Sequence, residues 1–260
     1  MIRHKSDIPR AQRLVVKVGS SSITGEQADQ LDGLATALAA AQATGQEIVL
    51  VSSGAIASGM PQLDLGDRPL DLATQQAAAA VGQNLLMRRY QDTFDRFRIT
   101  SGQVLLTVGD VENEPHRSNA KRTIERMLGL GVIPIVNEND TVATQEIRFG
   151  DNDRLAAQVA ELVGADALIL LSDVEAIYTA PPAKPGSRPV EVIEADDDLS
   201  WLVLESAVVN TVGTGGAVTK VSAARLATAS GIPTLVTGTW LVADALAGQG
   251  PGTWFIADVH

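Results

Sequence analysis

Short apolar runs recur along the chain, separated by stretches of helical period. RLVVKV (13–18), EIVLV (47–51), QVLLT (103–107), VIPIV (132–136), ALILL (167–171) and PTLV (233–236) are near-continuous in Val, Ile and Leu, the pattern of strands covered on both faces. Between them, Leu31, Leu34, Leu38 and Ala41 form a 3-4-3 stripe. Val81, Leu85, Tyr90, Phe94 and Phe97 approximate a second, and Leu155, Val159, Leu162 and Val163 form a third. Glycine closes the helical stretches before a strand in ATGQEIVLV, ELVGADALILL and TASGIPTLV, where a left-handed residue ends a helix.

This alternation predicts an α/β fold: a three-layer αβα sandwich with a mainly parallel central sheet, whose ligands bind beyond the carboxyl ends of the strands. The loops that follow strands are therefore the places to look for chemistry. No internal repeat interrupts the pattern. APPAKPGSRP (180–189) reads as a linker or surface loop, and the following EADDDLSW carries acids in the manner of a first helical turn.

Composition narrows the function. The chain of 260 residues has a formal net charge of −11, which repels polyphosphate backbones and anionic membranes, so neither nucleic acid nor membrane is expected as a partner. No apolar run approaches the ~20 residues of a bilayer span, and MIRHKSDIPRAQ has no apolar leader core, so a cytoplasmic location is expected. Cysteine is absent, which removes thiol nucleophiles and thiolate metal sites. The three histidines, His4, His116 and His260, are too few and too scattered for a histidine metal cluster or a histidine-based relay.

Lysine is scarce, with five in all, and Lys17 interrupts an apolar strand just before a Gly-Ser turn. A buried ammonium needs an anion. A structural ion pair or a side chain snorkelling out at the strand end meets that need, and so does a bound phosphate. VLVSSGAIASGM repeats the arrangement, placing Ser52, Ser53 and Gly54 after a second buried strand. In VGTGGAVTKVSAARLATASG, Lys220 falls near the start of a helix, where the helix dipole disfavours a cation, and a phosphate partner would offset this. The spacing matches neither a Walker A loop nor GxGxxG.

Two clusters of acids and amides, Asn137-Glu138-Asn139-Asp140 and Asp151-Asn152-Asp153, flank a loop between strand and helix. Neither has the glycine and glutamate spacing of a calcium loop. Asp151 or Asn152 can cap the helix that follows, but capping uses one residue, and the surplus suits a zwitterion. Together these features suggest phosphoryl transfer from a nucleotide to an amino acid. A carboxylate acceptor is already ionised at neutral pH, so alignment and charge neutralisation suffice without a histidine base.

VVKVGSSSIT, VSSGAIASGM, AAAAVGQNLL, GQVLLT, IPIVNENDTVAT, FGDNDRLAA, LLSDVEAIYT and GTGGAVTK span nearly the whole chain, and in their order and spacing it resembles the amino acid kinase family. The resemblance is to members that phosphorylate the γ-carboxylate of L-glutamate with ATP and Mg2+, in the first step of L-proline biosynthesis. It implies an amino-acid-binding lobe over about 1–165 and a nucleotide-binding lobe over about 166–260, in one domain. Lys17 and Lys220 would stabilise the transferring phosphoryl group, with Asp153 organising both. Ser53, Asp140 and Asn152 would bind the amino acid, Asp140 receiving its ammonium. Lys17, Ser172, Asp173, Thr214, Gly215, Gly216, Ala217, Val218, Thr219 and Lys220 would bind the nucleotide. Mg2+ would be held through phosphates, with no metal site of the protein's own.

The family also implies a homo-oligomer, feedback inhibition by proline and transfer of the product to a γ-glutamyl phosphate reductase. Family members often continue into a PUA domain, and this chain resembles a short form without it. Ala176, Pro181 and Ala217 stand where the family usually has Gly, Asp and Met, which affects the nucleotide side. Kinases of N-acetylglutamate or aspartate are the rival readings within the fold, and a sensor without turnover is the rival outside catalysis.

Overall fold

The structure, a computed structural model, describes residues 2–23, 29–143, 152–203 and 216–258. In chain order the strands are β1 (Arg13–Val18), β2 (Glu47–Ser52), β3 (Ser101–Leu106), β4 (Ile133–Glu138), β5 (Ala167–Ser172), β6 (Val192–Ile193), β7 (Thr234–Gly238) and β8 (Thr253–Phe255). The helices are α1 (Gln30–Ala43), α2 (Ala55–Gly59), α3 (Leu72–Asp95), α4 (Val108–Glu112), α5 (Glu114–Leu128), α6 (Asn152–Val163), α7 (Ala217–Ala229) and α8 (Val242–Leu246). One eight-stranded sheet has the order β3-β4-β2-β1-β5-β7-β8-β6. β3, β4, β2, β1, β5 and β7 run parallel, whereas β8 is antiparallel to β7 and carries β6 beside it.

All six strands expected from the sequence are present, displaced by at most two residues at an end. β6 and β8, of two and three residues, escaped the reading because a run that short carries no period. EADDDLSW does not begin a helix among its described residues. Asp197 and Asp198 instead accept hydrogen bonds from the backbone N–H groups of Leu199 and Ser200, closing side-chain turns that leave Leu199 at φ 58°.

Side-chain alternation sorts the core into two layers. Val15, Val49, Val51, Val136, Leu168 and Leu170 face α5, α6 and α7, while Leu14, Val16, Val18, Ile48, Leu50, Ile133, Ile135 and Ile169 face α1, α3 and α8. Burying each such side chain contributes about 1.5–3 kcal/mol. The α3 seam differs from the expected stripe. It buries Gly82, Gln83 and Leu86 ahead of Tyr90 and Phe94, while Val81 and Leu85 are half-buried. The reason is contact with α2: a Cβ on Gly82 would lie 1.8 Å from the Ala55 carbonyl oxygen, so only glycine lets the two backbones meet.

The topology also marks the cleft. From β1 the chain adds β2, places β3 at the edge and inserts β4 between them, then returns to the opposite flank of β1 with β5. Strand order therefore reverses at β1, and the carboxyl ends around such a point form the binding crevice of an open parallel sheet. Among the described residues, no helix is long and apolar enough to cross a membrane.

Candidate active site

Lys17 sits one residue before the end of β1, at the reversal. It shares the parity of Val15, so its side chain leaves the sheet toward α6 and α7 rather than toward solvent. Asp153 meets it from the first turn of α6, with Oδ1 at 2.5 Å from Lys17 Nζ. Lys220, in the first turn of α7, approaches the other carboxylate oxygen at 3.1 Å. The structural ion pair and the charge cluster anticipated separately for Lys17 are thus one arrangement.

Burial makes this arrangement consequential. Asp153 is 0% exposed, Lys17 3% and Lys220 7%. Burial alone would raise the Asp153 pKa, but the ammonium of Lys17, and then that of Lys220, outweigh it and hold the carboxyl well below the usual carboxylate range. Thr219 adds a third contact, its Oγ1 lying 3.0 Å from Asp153 Oδ2 while accepting the Gly216 N–H at 3.1 Å. The dipole of α6 favours Asp153 at its start, and that of α7 disfavours Lys220, whose cost the carboxylate offsets. Among the described residues, two ammonium groups thus share one carboxylate at the carboxyl end of β1, an arrangement suited to meeting the charge of an anion.

Those of the remaining expected residues that are described follow strands or begin helices at the same edge of the sheet. Ser53 follows β2, and its N–H donates to the Val18 carbonyl at 3.2 Å, tying the second Gly-Ser turn to the end of β1. Asp140 lies half-buried two residues beyond β4. Asn152 is buried beside Asp153 and donates to the Ser52 carbonyl at 2.5 Å and to Asn137 Oδ1 at 2.6 Å. Ser172 ends β5, with Asp173 exposed after it and Ser172 Oγ donating to Asp173 Oδ1 at 3.2 Å. Gly216 precedes α7, with Ala217 and Val218 exposed at its first turn. Thr214, Gly215 and Asp151 lie outside the described residues. Ala176 keeps out of the left-handed region and is buried, so it takes the place of a glycine without backbone strain.

Several supporting contacts, and the roles of Gln83 and Thr239, were not read from the sequence. Ser52 Oγ and Tyr90 OH share a hydrogen bond of 2.8 Å beneath the second turn, and burial raises the Tyr90 phenol above its ordinary pKa, offset only in part by Ser52. Thr239 Oγ1 lies 2.8 Å from Ser22 Oγ and 3.1 Å from the Ser172 carbonyl, joining the loops after β1, β5 and β7. Asn137 donates to Gln83 Oε1 at 2.7 Å, and Gln83 donates to Gln103 Oε1 at 3.2 Å. The signal available for Gln83 was a polar residue inside the alanine-rich AAAAVGQNLL. Among the described residues no cluster of three or more His, Cys, Asp or Glu is placed to hold a metal ion.

The sequence profile of the amino acid kinase family matches residues 12–238. The glutamate 5-kinase of Clavibacter sepedonicus is 61% identical over 251 residues, 96% of each chain. That of Leifsonia xyli subsp. xyli is 60% identical over 254 residues, covering 98% of this chain and 94% of the relative. The glutamate 5-kinase of Streptomyces avermitilis is 53% identical over 256 residues, and the match spans 96% of this chain but 68% of that one. Among solved structures, a carbamate kinase from Giardia lamblia bound to AMP-PNP superimposes with a TM-score of 0.70 at 17% identity, over 96% of this chain and all of that one, a likeness of fold.

Proposed function

The chain belongs to the amino acid kinase family, and from that premise we propose that it transfers the γ-phosphoryl group of ATP to the γ-carboxylate of L-glutamate, the glutamate 5-kinase reaction. The product is γ-glutamyl 5-phosphate, the first intermediate of L-proline biosynthesis. One observation carries the mechanism: Lys17 and Lys220 converge on Asp153 from distant parts of the chain.

A carboxylate oxygen of glutamate attacks the γ-phosphorus in line, the bond from that phosphorus to the β,γ-bridging oxygen breaks, and ADP leaves with the electron pair. Charge on the equatorial oxygens is met by the two ammonium groups, which Asp153 and Thr219 hold in place beforehand. No proton has to be removed from the nucleophile. Glutamate would be held by Ser53, Asp140 and Asn152, with its ammonium at Asp140. The nucleotide would be held by Lys17, Ser172, Asp173 and residues 214–220. Asp153 is committed to two lysines, so the residues present suit a Mg2+ that arrives on the nucleotide phosphates and adds further charge neutralisation there. The sheet supports the two lobes, since β2, β3 and β4 lie on one side of β1 and β5 to β8 on the other. A cytoplasmic homo-oligomer, inhibited by proline and passing its acyl phosphate to a reductase, completes the reading.

The test is a hydroxylamine trap. Protein, Mg2+-ATP and L-glutamate should release ADP and form γ-glutamyl hydroxamate, with aspartate and N-acetylglutamate as competing acceptors run alongside. Folded protein that yields no hydroxamate from glutamate rules the reading out, and preference for another acceptor reassigns the substrate.

A further inference from the structure

The amides beneath the site form a directed chain whose sense is set by two backbone groups. The Glu138 N–H donates to Asn137 Oδ1 at 2.9 Å, and the Ser52 carbonyl accepts from Asn152 Nδ2 at 2.5 Å. A backbone N–H only donates and a carbonyl only accepts, so flipping either amide would set donor against donor or acceptor against acceptor. Asn137 must therefore offer its amino group to Gln83 Oε1, 2.7 Å away, and Gln83 in turn directs Nε2 to Gln103 Oε1 at 3.2 Å. At the other end Asn152 gives its second N–H to Asn137 Oδ1 at 2.6 Å. Both donors of Asn152 are thus consumed. Among the described residues nothing donates to its Oδ1, so Asn152 has only an acceptor left to offer a ligand.

We propose that Gln83 is a positioning residue which, through Asn137, holds Asn152 in this acceptor-only orientation, so that the site selects an acid bearing a free ammonium. The inference rests on the amino-acid kinase reading above. Gln83 itself meets no substrate. It is buried on α3, and its task is to accept the Asn137 amino group, which would otherwise be buried without a partner. With that acceptor removed, the Asn137 amino group is buried without a partner, Asn137 swings off Asn152 to find one, and Asn152 keeps only the Ser52 carbonyl to orient it, so its acceptor is no longer fixed toward the ammonium.

The experiment compares Gln83→Met, which keeps the length of the side chain and loses the acceptor, with Gln83→Glu, which keeps the acceptor while Gln103 reverses its own amide. The readouts are KM for L-glutamate, Ki for glutarate (the same diacid without an ammonium), KM for ATP and kcat. In Gln83→Met, KM for L-glutamate should rise about tenfold, the scale of one buried hydrogen bond. Ki for glutarate, KM for ATP and kcat should each stay within about threefold, and Gln83→Glu should recover KM to within the same margin. Equal weakening of glutamate and glutarate, an unchanged KM for glutamate, or Gln83→Glu as impaired as Gln83→Met overturns the proposal. If Gln83→Met does not fold, Gln103→Met at the exposed end of the chain reads the same ratio, with a shift of about threefold expected and no shift refuting. Wild-type protein that forms no hydroxamate from glutamate defeats the functional reading itself, whereas a normal wild type with an unaltered Gln83→Met defeats this inference alone.

Discussion

Replacing Asp153 by Asn keeps the shape of the side chain and deletes the charge that two buried ammonium groups share. At an effective dielectric of 20, unit charges at the observed 2.5 and 3.1 Å attract by about 7 and about 5 kcal/mol before desolvation is counted. Desolvating each ion costs several kcal/mol, so removing the common partner of such a cluster leaves a net loss of about 3–5 kcal/mol. In a chain of this size that lowers Tm by about 6–20 °C. Thermal and urea unfolding of the two proteins without nucleotide measures it.

The pH dependence gives a second handle on the same residue. The folded Asp153 carboxyl lies below its unfolded value, so its contribution is complete above the unfolded pKa of about 3.9 and is lost as pH falls through the folded value. The stability gap between wild type and variant should therefore be flat from pH 8 to 5 and begin to close only below about pH 4. A gap smaller than about 1 kcal/mol, or one that closes between pH 7 and 6, would show that the buried carboxylate does not hold the two lysines.

Other changes read other parts of the site. Lys220→Ala should lower kcat in the hydroxamate assay by about a hundredfold to a thousandfold, the scale of losing one preorganised charge-stabilising donor, and a loss under threefold would contradict its role. Asp140→Ala should raise KM for glutamate, and an unaltered KM removes Asp140 from the amino-acid site. Gly82→Ala puts a Cβ 1.8 Å from the Ala55 carbonyl oxygen and 2.4 Å from the Gly59 nitrogen, forcing α2 from α3 at a cost of about 1–3 kcal/mol in urea unfolding. A neutral Gly82→Ala would mean that the two helices do not cross as described.

The parallel sheet was legible because strands buried on both faces leave unbroken apolar runs, and glycine at the ends of α1, α6 and α7 punctuated them. Gly164, at φ 61°, is such a stop. Lys17 stood out for the same reason, as a charge where the pattern demanded none. What could not be read was its direction and its partner, because the parity that turns Lys17 toward α6 has meaning only once α6 and α7 are known to cover that face. Gln83, Gln103, Tyr90 and Thr239 were silent for a related reason. Each is an ordinary residue at an ordinary position, and its importance comes from a neighbour 20 or more residues away. Ser53, Asp140 and Ser172 owed their selection to the resemblance and to position after a strand, and their distribution around one edge follows from the parallel topology.

The strand order has a consequence for how the molecule matures. β1 is the first strand synthesised, yet it lies in the middle of the finished sheet, and one of its edges stays bare until residues 167–172 have left the ribosome. Lys17 waits through that interval for Asp153, and for Lys220 longer still. The reaction centre thus closes only once α7 is made, and a half-made chain has no assembled machinery with which to squander ATP.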